Sequence, residues 1–255
     1  PPSIFIWNSF AAKGVKPVFG ITSLTIPKQY TKLKIENLAV GFKKAAKEFQ
    51  IKILGGDTNE GKELVISFSL FGFTKKIVKR NGAKINDLII CSGPFGYSAA
   101  GLSILLKNKK SSKRFETKAK RAIFRPSCQL DFGLKNKNYF SSSMDSSDGL
   151  STTLNEMSNQ SKRRFVITQL PSEKDVFDFA NSNRLNVDDL IFNGGEEYEI
   201  VATINPTHMT KIKKYAKKNQ IRFYEIGYVT NGKGVFYQKN GKLIRIKDGG
   251  WQHFQ

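Results

Sequence analysis

Leu54-Gly55-Gly56-Asp57-Thr58 joins two apolar runs, residues 50–54 before it and 64–73 after it. Both runs are rich in strand formers, and the second alternates with Ser67 and Ser69, so each reads as a β-strand. The stretch between them reads as a turn, because Gly and Asp dominate turns. It has a second reading. Glycine has no Cβ and lets a backbone close on a bulky anion, while a carboxylate is a hard oxygen ligand that suits Mg²⁺. Two later stretches repeat the combination: Met144-Asp145-Ser146-Ser147-Asp148-Gly149-Leu150 and Asn193-Gly194-Gly195-Glu196-Glu197-Tyr198-Glu199. Acids beside glycines at three separate places point to a metal–phosphate site.

Outward from that stretch, residues 8–14 read as a short helix ended by Gly14, and 15–26 as a strand stopped by Pro27. Residues 32–49 carry Leu33, Ile35, Leu38, Ala39, Phe42, Ala45, Ala46 and Phe49, mostly three or four apart, which predicts an amphipathic helix. After a charged break at 75–86, Leu88-Ile89-Ile90-Cys91 reads as a buried strand. It leads through Ser92-Gly93-Pro94-Phe95-Gly96 into a helix opened by small residues. Strand, glycine loop and helix is a phosphate-binding context, but the lysine-bearing P-loop and GxGxxG patterns are both absent. The small residues read as close packing. Residues 107–120 read as a basic, mobile connection. Strands are expected at 165–168, 198–204, 222–229 and 235–246, and helices at 150–157, 173–182 and 206–218, with Asn240-Gly241 as a turn. Asp145 and Asp148 stand three apart at a helix start. An N-cap role accounts for one of Ser147 and Asp148, but not for Asp145 as well. The other reading has two carboxylates hold a metal while Ser147 bonds a phosphate oxygen.

The 255 residues suffice for one large or two modest domains. With 39% hydrophobic and 12% aromatic residues, 20 of them Phe, the chain reads as globular and not disordered. No apolar run approaches the roughly 18 residues of a membrane span. There is no basic-then-apolar leader pattern at the N-terminus. Cys91 and Cys128 are too few for a disulfide framework or a zinc site. A reduced, cytoplasmic protein with no membrane partner is expected. Lys and Arg total 42 against 21 acids, a net charge of +21, which attracts polyanions. The cations are dispersed, and no zinc-finger or RNP-like spacing accompanies them. Phosphorylated small molecules are therefore expected as partners, and no specific nucleic acid.

Taken together and in order, these stretches resemble the thiamine-monophosphate kinase family of the aminoimidazole-ribonucleotide-synthetase-like superfamily. The likeness rests on Ala11-Ala12-Lys13-Gly14-Val15-Lys16-Pro17, the Gly-Gly-Asp-Thr stretch, Arg80-Asn81-Gly82-Ala83 and Ser98-Ala99-Ala100-Gly101-Leu102. It continues through Asp145–Leu150, Gly194–Glu199 and Gly250-Trp251-Gln252-His253-Phe254. The resemblance implies an α+β fold in two domains: residues 1–80, binding ATP and metal and pairing through their sheet in a homodimer, and an α/β domain at 81–255. It implies transfer of a phosphoryl group from ATP to thiamine monophosphate in thiamine biosynthesis, assisted by several Mg²⁺ ions. Gly56, Asp57, Arg80 and Ser147 would then contact ATP, and Asp57, Asp145 and Asp148 would hold metal. Asp145 and Asp148 would be catalytic, and Glu196 and Trp251 would meet the substrate. His253 is read as structural.

The chain departs from the family pattern in three places. An acidic segment with a Gly-Asp-Asp pattern is expected upstream, in a longer protein, because none precedes Pro1. Asn8-Ser9-Phe10 stands where the family has Asn-x-Ser-Asp, and Glu197 where it commonly has Asp. The alternatives kept open are a non-catalytic nucleotide-binding relative and another ATP-using enzyme of the same superfamily.

Overall fold

The computed structural model describes residues 4–251; His253 lies outside the described residues. After α1 (Ile4–Lys13), the chain falls into two units: Val15–Lys75, and the segment up to Gly14 together with the chain from Lys76 onward.

The smaller unit contains β1 (Lys16–Pro27), α2 (Lys32–Glu48), β2 (Lys52–Gly61) and β3 (Val65–Phe73). Its sheet has the order β2-β1-β3, with β1 parallel to β2 and antiparallel to β3. Thr31 starts α2 by accepting the Lys34 amide at 3.4 Å. β3 alternates cleanly. Phe68 turns to α2 and stacks on Phe42 at 6.4 Å, whereas Val65, Phe71 and Phe73 stand exposed on the opposite face. There Phe71 stacks on Phe19 at 5.2 Å.

Residues 55–57 do not form the expected turn. β2 runs through them and the chain reverses at 62–64. The parallel register pairs Gly20 with Ile53 and then Ile21 with Gly55, so Leu54 is skipped in a β-bulge with Gly55 at φ 153°. A Cβ on Gly56 would stand 1.8 Å from the Thr22 carbonyl oxygen. These glycines let two strands approach.

The larger unit adds β4 (Leu88–Cys91), α3 (Tyr97–Lys107), α4 (Lys113–Phe124), α5 (Leu130–Asn136), β5 (Phe140–Asp145), α6 (Leu150–Ser161) and β6 (Arg164–Ile167). α7 (Lys174–Ser182), α8 (Val187–Phe192), β7 (Ile200–Ile204), α9 (Met209–Lys218), β8 (Tyr224–Thr230), β9 (Gly234–Lys239) and β10 (Lys242–Ile246) complete it. The sheet order is β10-β9-β6-β8-β4-β7-β5, antiparallel except for β6 beside β9. Ile89, Cys91 and Val201 pack with Leu150, Leu154 and Phe165, while Ile90, Ile200 and Ala202 pack with Ala12, Phe132 and Ile212. Both faces of the central strands are thus covered, which is why β4 and β7 read as unbroken apolar runs. α1 packs on α5, β5 and β7, so it belongs to this unit.

The stretch 107–120, expected to be a mobile connection, instead leads into α4. The Ser112 hydroxyl accepts the Phe115 amide at 3.3 Å, and Phe115 stacks on Phe179 at 4.8 Å. A Cβ on Gly101 of α3 would lie 2.6 Å from the Ala119 carbonyl oxygen, so the two helices are in close contact. The apolar set Phe115, Ala119 and Ala122 is helical in spacing but diluted by charge.

A pair of alanine substitutions tests the strand reading of Gly56. Gly56→Ala should lower the melting temperature by several degrees, since the Thr22 backbone must move. Gly41→Ala, in the open on α2, should raise it slightly, by up to about 1 kcal/mol of helix propensity. Equal melts for both variants would rule out the tight strand pairing.

Candidate active site

β5 sits at the sheet edge and ends in Asp145, from which Ser146–Gly149 turn into α6. The helix is capped by Gly149, at φ 115°, with no side-chain bond. Neither Ser147 nor Asp148 serves as the cap, and the Ser147 hydroxyl donates to Asp148 Oδ2 at 3.0 Å. The turn is held by the segment ahead of β7. Ser146 N–H donates to the Glu199 carbonyl at 2.9 Å, Tyr198 N–H to the Ser146 carbonyl at 2.8 Å, and Glu196 N–H to the Ser147 carbonyl at 2.6 Å. From the C-terminal side, Trp251 N–H donates to the Asp148 carbonyl at 3.0 Å. Gly195 and Gly250 permit this approach: a Cβ on Gly250 would be 2.0 Å from the Asp148 oxygen.

Asp145 is only 8% exposed, and its Oδ2 accepts from the Ser9 hydroxyl at 2.7 Å. Lys13 reaches over β5 to the Ser143 carbonyl at 3.1 Å. Burial, reinforced by Arg80, lowers the Lys13 ammonium to about 8, and Asp145 opposes the shift. Arg80 pairs loosely with Glu156 at 3.8 Å. Burial first, then the charges of Glu196, Asp148 and Asp145, push the Tyr198 phenol up.

Glu197 and Glu199 turn the other way. Glu197 Oε1 accepts the Gly96 amide at 2.6 Å and the Ser98 amide at 3.0 Å, capping α3. The helix start that a phosphate could have taken is therefore occupied by this chain's own carboxylate, as the close-packing reading of its small residues allows. Glu199 accepts from the Ser92 hydroxyl and, at 3.2 Å, from the Gln129 amide. Burial pushes Glu197 up to about 7 and Glu199 up to about 8.

One unit thus gathers Asp145, Ser147, Asp148, Glu196 and Trp251, with Lys13 feeling the charges of both Asp145 and Arg80. Gly56 and Asp57 lie on β2 in the other unit, where Asp57 Oδ2 accepts from the Asn59 side chain at 2.7 Å. Among the described residues, no three His, Cys, Asp or Glu side chains form a metal-binding group. Sequence reading passed over Lys13 and Glu199. Lys13 was hidden in a chain with 42 cations, and Glu199 was read in the acid–glycine stretch without a role of its own.

Residues 6–74 match the family model of the AIR synthase related protein N-terminal domain. A thiamine-monophosphate kinase of Nitrosopumilus maritimus is 56% identical over 97% of this chain and 79% of its own length. One from Pyrococcus horikoshii is 30% identical over 97% of this chain and 76% of its own. A solved structure described as AaThiL complexed with AMPPCP and TMP superposes with a TM-score of 0.82, at 28% identity, covering 99% of this chain and 81% of that one.

The buried glutamates set a pH dependence. An unfolded glutamate ionises near 4.5, whereas folded Glu199 holds its proton to about 8. The folded chain binds the extra proton between those values, so the stability contributed by Glu199 is full below about 4.5 and is lost as pH rises toward about 8. Glu199→Gln should flatten that decline in thermal melts taken across the window. Parallel curves for the two proteins would show that Glu199 is already ionised in the fold.

Proposed function

The chain belongs to the thiamine-monophosphate kinase family, and from that premise we propose which residues carry its reaction. It passes the γ-phosphoryl of ATP to thiamine monophosphate, giving thiamine diphosphate. The acceptor is already an anionic phosphate, so no strong base is needed. The site's task is to align two polyanions and offset their repulsion.

Magnesium supplies that neutralisation when bound. Asp145 and Asp148, with Asp57, are the carboxylates proposed to hold it. Two carboxylates on one turn, with no cluster of three His, Cys, Asp or Glu side chains among the described residues, suit an ion that would keep water and substrate phosphates as ligands. Gly56, Arg80 and Ser147 are assigned to ATP, Arg80 as a guanidinium for phosphate oxygens. Glu196 and the 68% exposed Trp251 indole are assigned to the organic end of the substrate. An indole face suits a cationic thiazolium and a flat pyrimidine. The observation that carries this reading is that Ser147 and Asp148 are released from capping α6 while Glu196 and Trp251 are tied to their carbonyls.

The exposed apolar face of Phe71, Phe73 and Val65 supports a homodimer paired through the smaller sheet. A cytoplasmic setting fits a chain with only two cysteines, and no helix among the described residues is long and apolar enough to cross a membrane. The dispersed cations favour small phosphates over a nucleic-acid sequence.

Ser9 beside Asp145, in the Asn8-Ser9-Phe10 stretch that carries no aspartate, favours a second reading: a relative that binds nucleotide without transferring phosphate. One set of assays separates them. Asp145→Asn and Asp148→Asn should each cut turnover about 100-fold or more with unchanged melts, and Trp251→Ala should raise KM for thiamine monophosphate far more than for ATP. Near-normal rates in both Asp variants would remove the metal role, and no transfer by the unaltered protein would favour the binding relative. For the dimer, Phe73→Lys should shift the mass seen by light scattering from two chains to one; an unchanged mass would place the interface elsewhere.

A further inference from the structure

Behind the Glu196–Glu199 segment lies a cavity of ≈ 260 Å³, walled by the C-terminal half of α4 and floored by Glu197 and Glu199. Both carboxyls are only 7% exposed, so they form a built interior and not a solvated rim. Four cations line the walls and mouth. Lys118 is paired with Asp175 at 2.7 Å and Arg222 with Glu173 at 2.8 Å. Arg121 and Arg125 have no carboxylate partner among the described residues. Arg121 lies in the last turn of α4, and Arg125 is its C-cap, with backbone outside the helix at φ −148° but its N–H on the Arg121 carbonyl at 2.8 Å, so both reach the cavity from one helix end. Two like charges there repel, and an oxyanion between them relieves the repulsion with paired N–H donors.

The floor residues are already satisfied by Gly96, Ser98, Ser92 and Gln129. What the cavity lacks is negative charge at the two guanidiniums. We propose that this cavity is a second ligand site, taking a small oxyanion, a phosphate or carboxylate compound, through Arg121 and Arg125.

Such a ligand reaches the reaction through the segment it rests against. That segment is two-sided: Tyr198 feels the charges of Asp145 and Asp148 on one side, and Glu197 and Glu199 line the cavity on the other. Its backbone is bonded to the Asp145–Gly149 turn, and Ser98 ties Gly195 to α3 at 2.5 Å. A ligand that stiffens one side alters the other.

Titration calorimetry with orthophosphate, and separately with succinate, in buffer stripped of divalent metal distinguishes this site from the metal-dependent one and phosphate from carboxylate. Unaltered protein and Asp148→Asn should bind one of these anions equally. Arg121→Ala with Arg125→Ala should weaken binding about tenfold or more, with turnover in the absence of added anion within about twofold of normal. Ala122→Trp, which fills the cavity without changing charge, should cause the same loss. Added anion should shift KM for thiamine monophosphate in the unaltered protein and not in either cavity variant. Binding undiminished by the cavity variants, loss in Asp148→Asn, failure of both anions to bind, or an unmoved KM would each overturn the proposal.

Discussion

Three backbone hydrogen bonds between Ser146–Ser147 and Glu196–Glu199 hold the candidate site together. They extend the β5–β7 pairing past its last partners, Asp145 and Ile200, into what would otherwise be two loose connections. Maintaining them places Glu196 at φ 65° and Tyr198 at φ 55°. Each costs about 1–2 kcal/mol for a residue with a Cβ, and such conformations persist where surrounding structure over-determines them. Here that structure is the sheet on one side and the α3 amides on the other. Strained backbone at Glu196 and Tyr198 is thus held against a turn that carries two aspartates, which is a pattern of function more than of packing.

Burial also explains why the local charges are arranged as they are. A carboxylate as enclosed as Asp145 is costly unless it has partners, and Ser9 supplies a hydrogen bond while Lys13 supplies an opposite charge. Lys13 is fixed by more than its side chain. Its carbonyl accepts the Val78 amide at 3.1 Å, and the Lys79 carbonyl accepts the Ser143 amide at 3.0 Å. The end of α1, the segment running into Arg80, and β5 are therefore one hydrogen-bonded knot. Arg80, proposed above for ATP, thus follows a backbone that the sheet edge itself holds.

Much of this was legible in sequence because it is local. The amphipathic spacing of residues 32–49 gave α2 to within a residue, and Leu88–Cys91 gave β4 without error. The Asp145–Leu150 and Gly194–Glu199 stretches were legible as site material through their acids and glycines. Errors arose where the deciding partner is distant. Gly55-Gly56 has turn composition, but β1 offers a parallel register that carries the strand onward. Residues 113–124 are so charged that only contact with Phe179 and Gly101 reveals the buried stripe of α4. The short helices α5 and α8 were missed for the same reason, their signals being three apolar positions in α5 and four in α8, over too few residues to show a period.

The role of Glu197 shows how far apart the deciding residues can be. Gly96 stands at the N-cap of α3 with φ 102° and has no side chain to offer the helix's free amides. Those amides need an acceptor, and it comes from Glu197, 101 residues along the chain. The cap thereby serves two purposes: it satisfies α3, and it clamps the backbone that carries Glu196 toward the Asp148 turn. Glycine at one position and an acid at another are thus a single structural device, and neither residue discloses it alone.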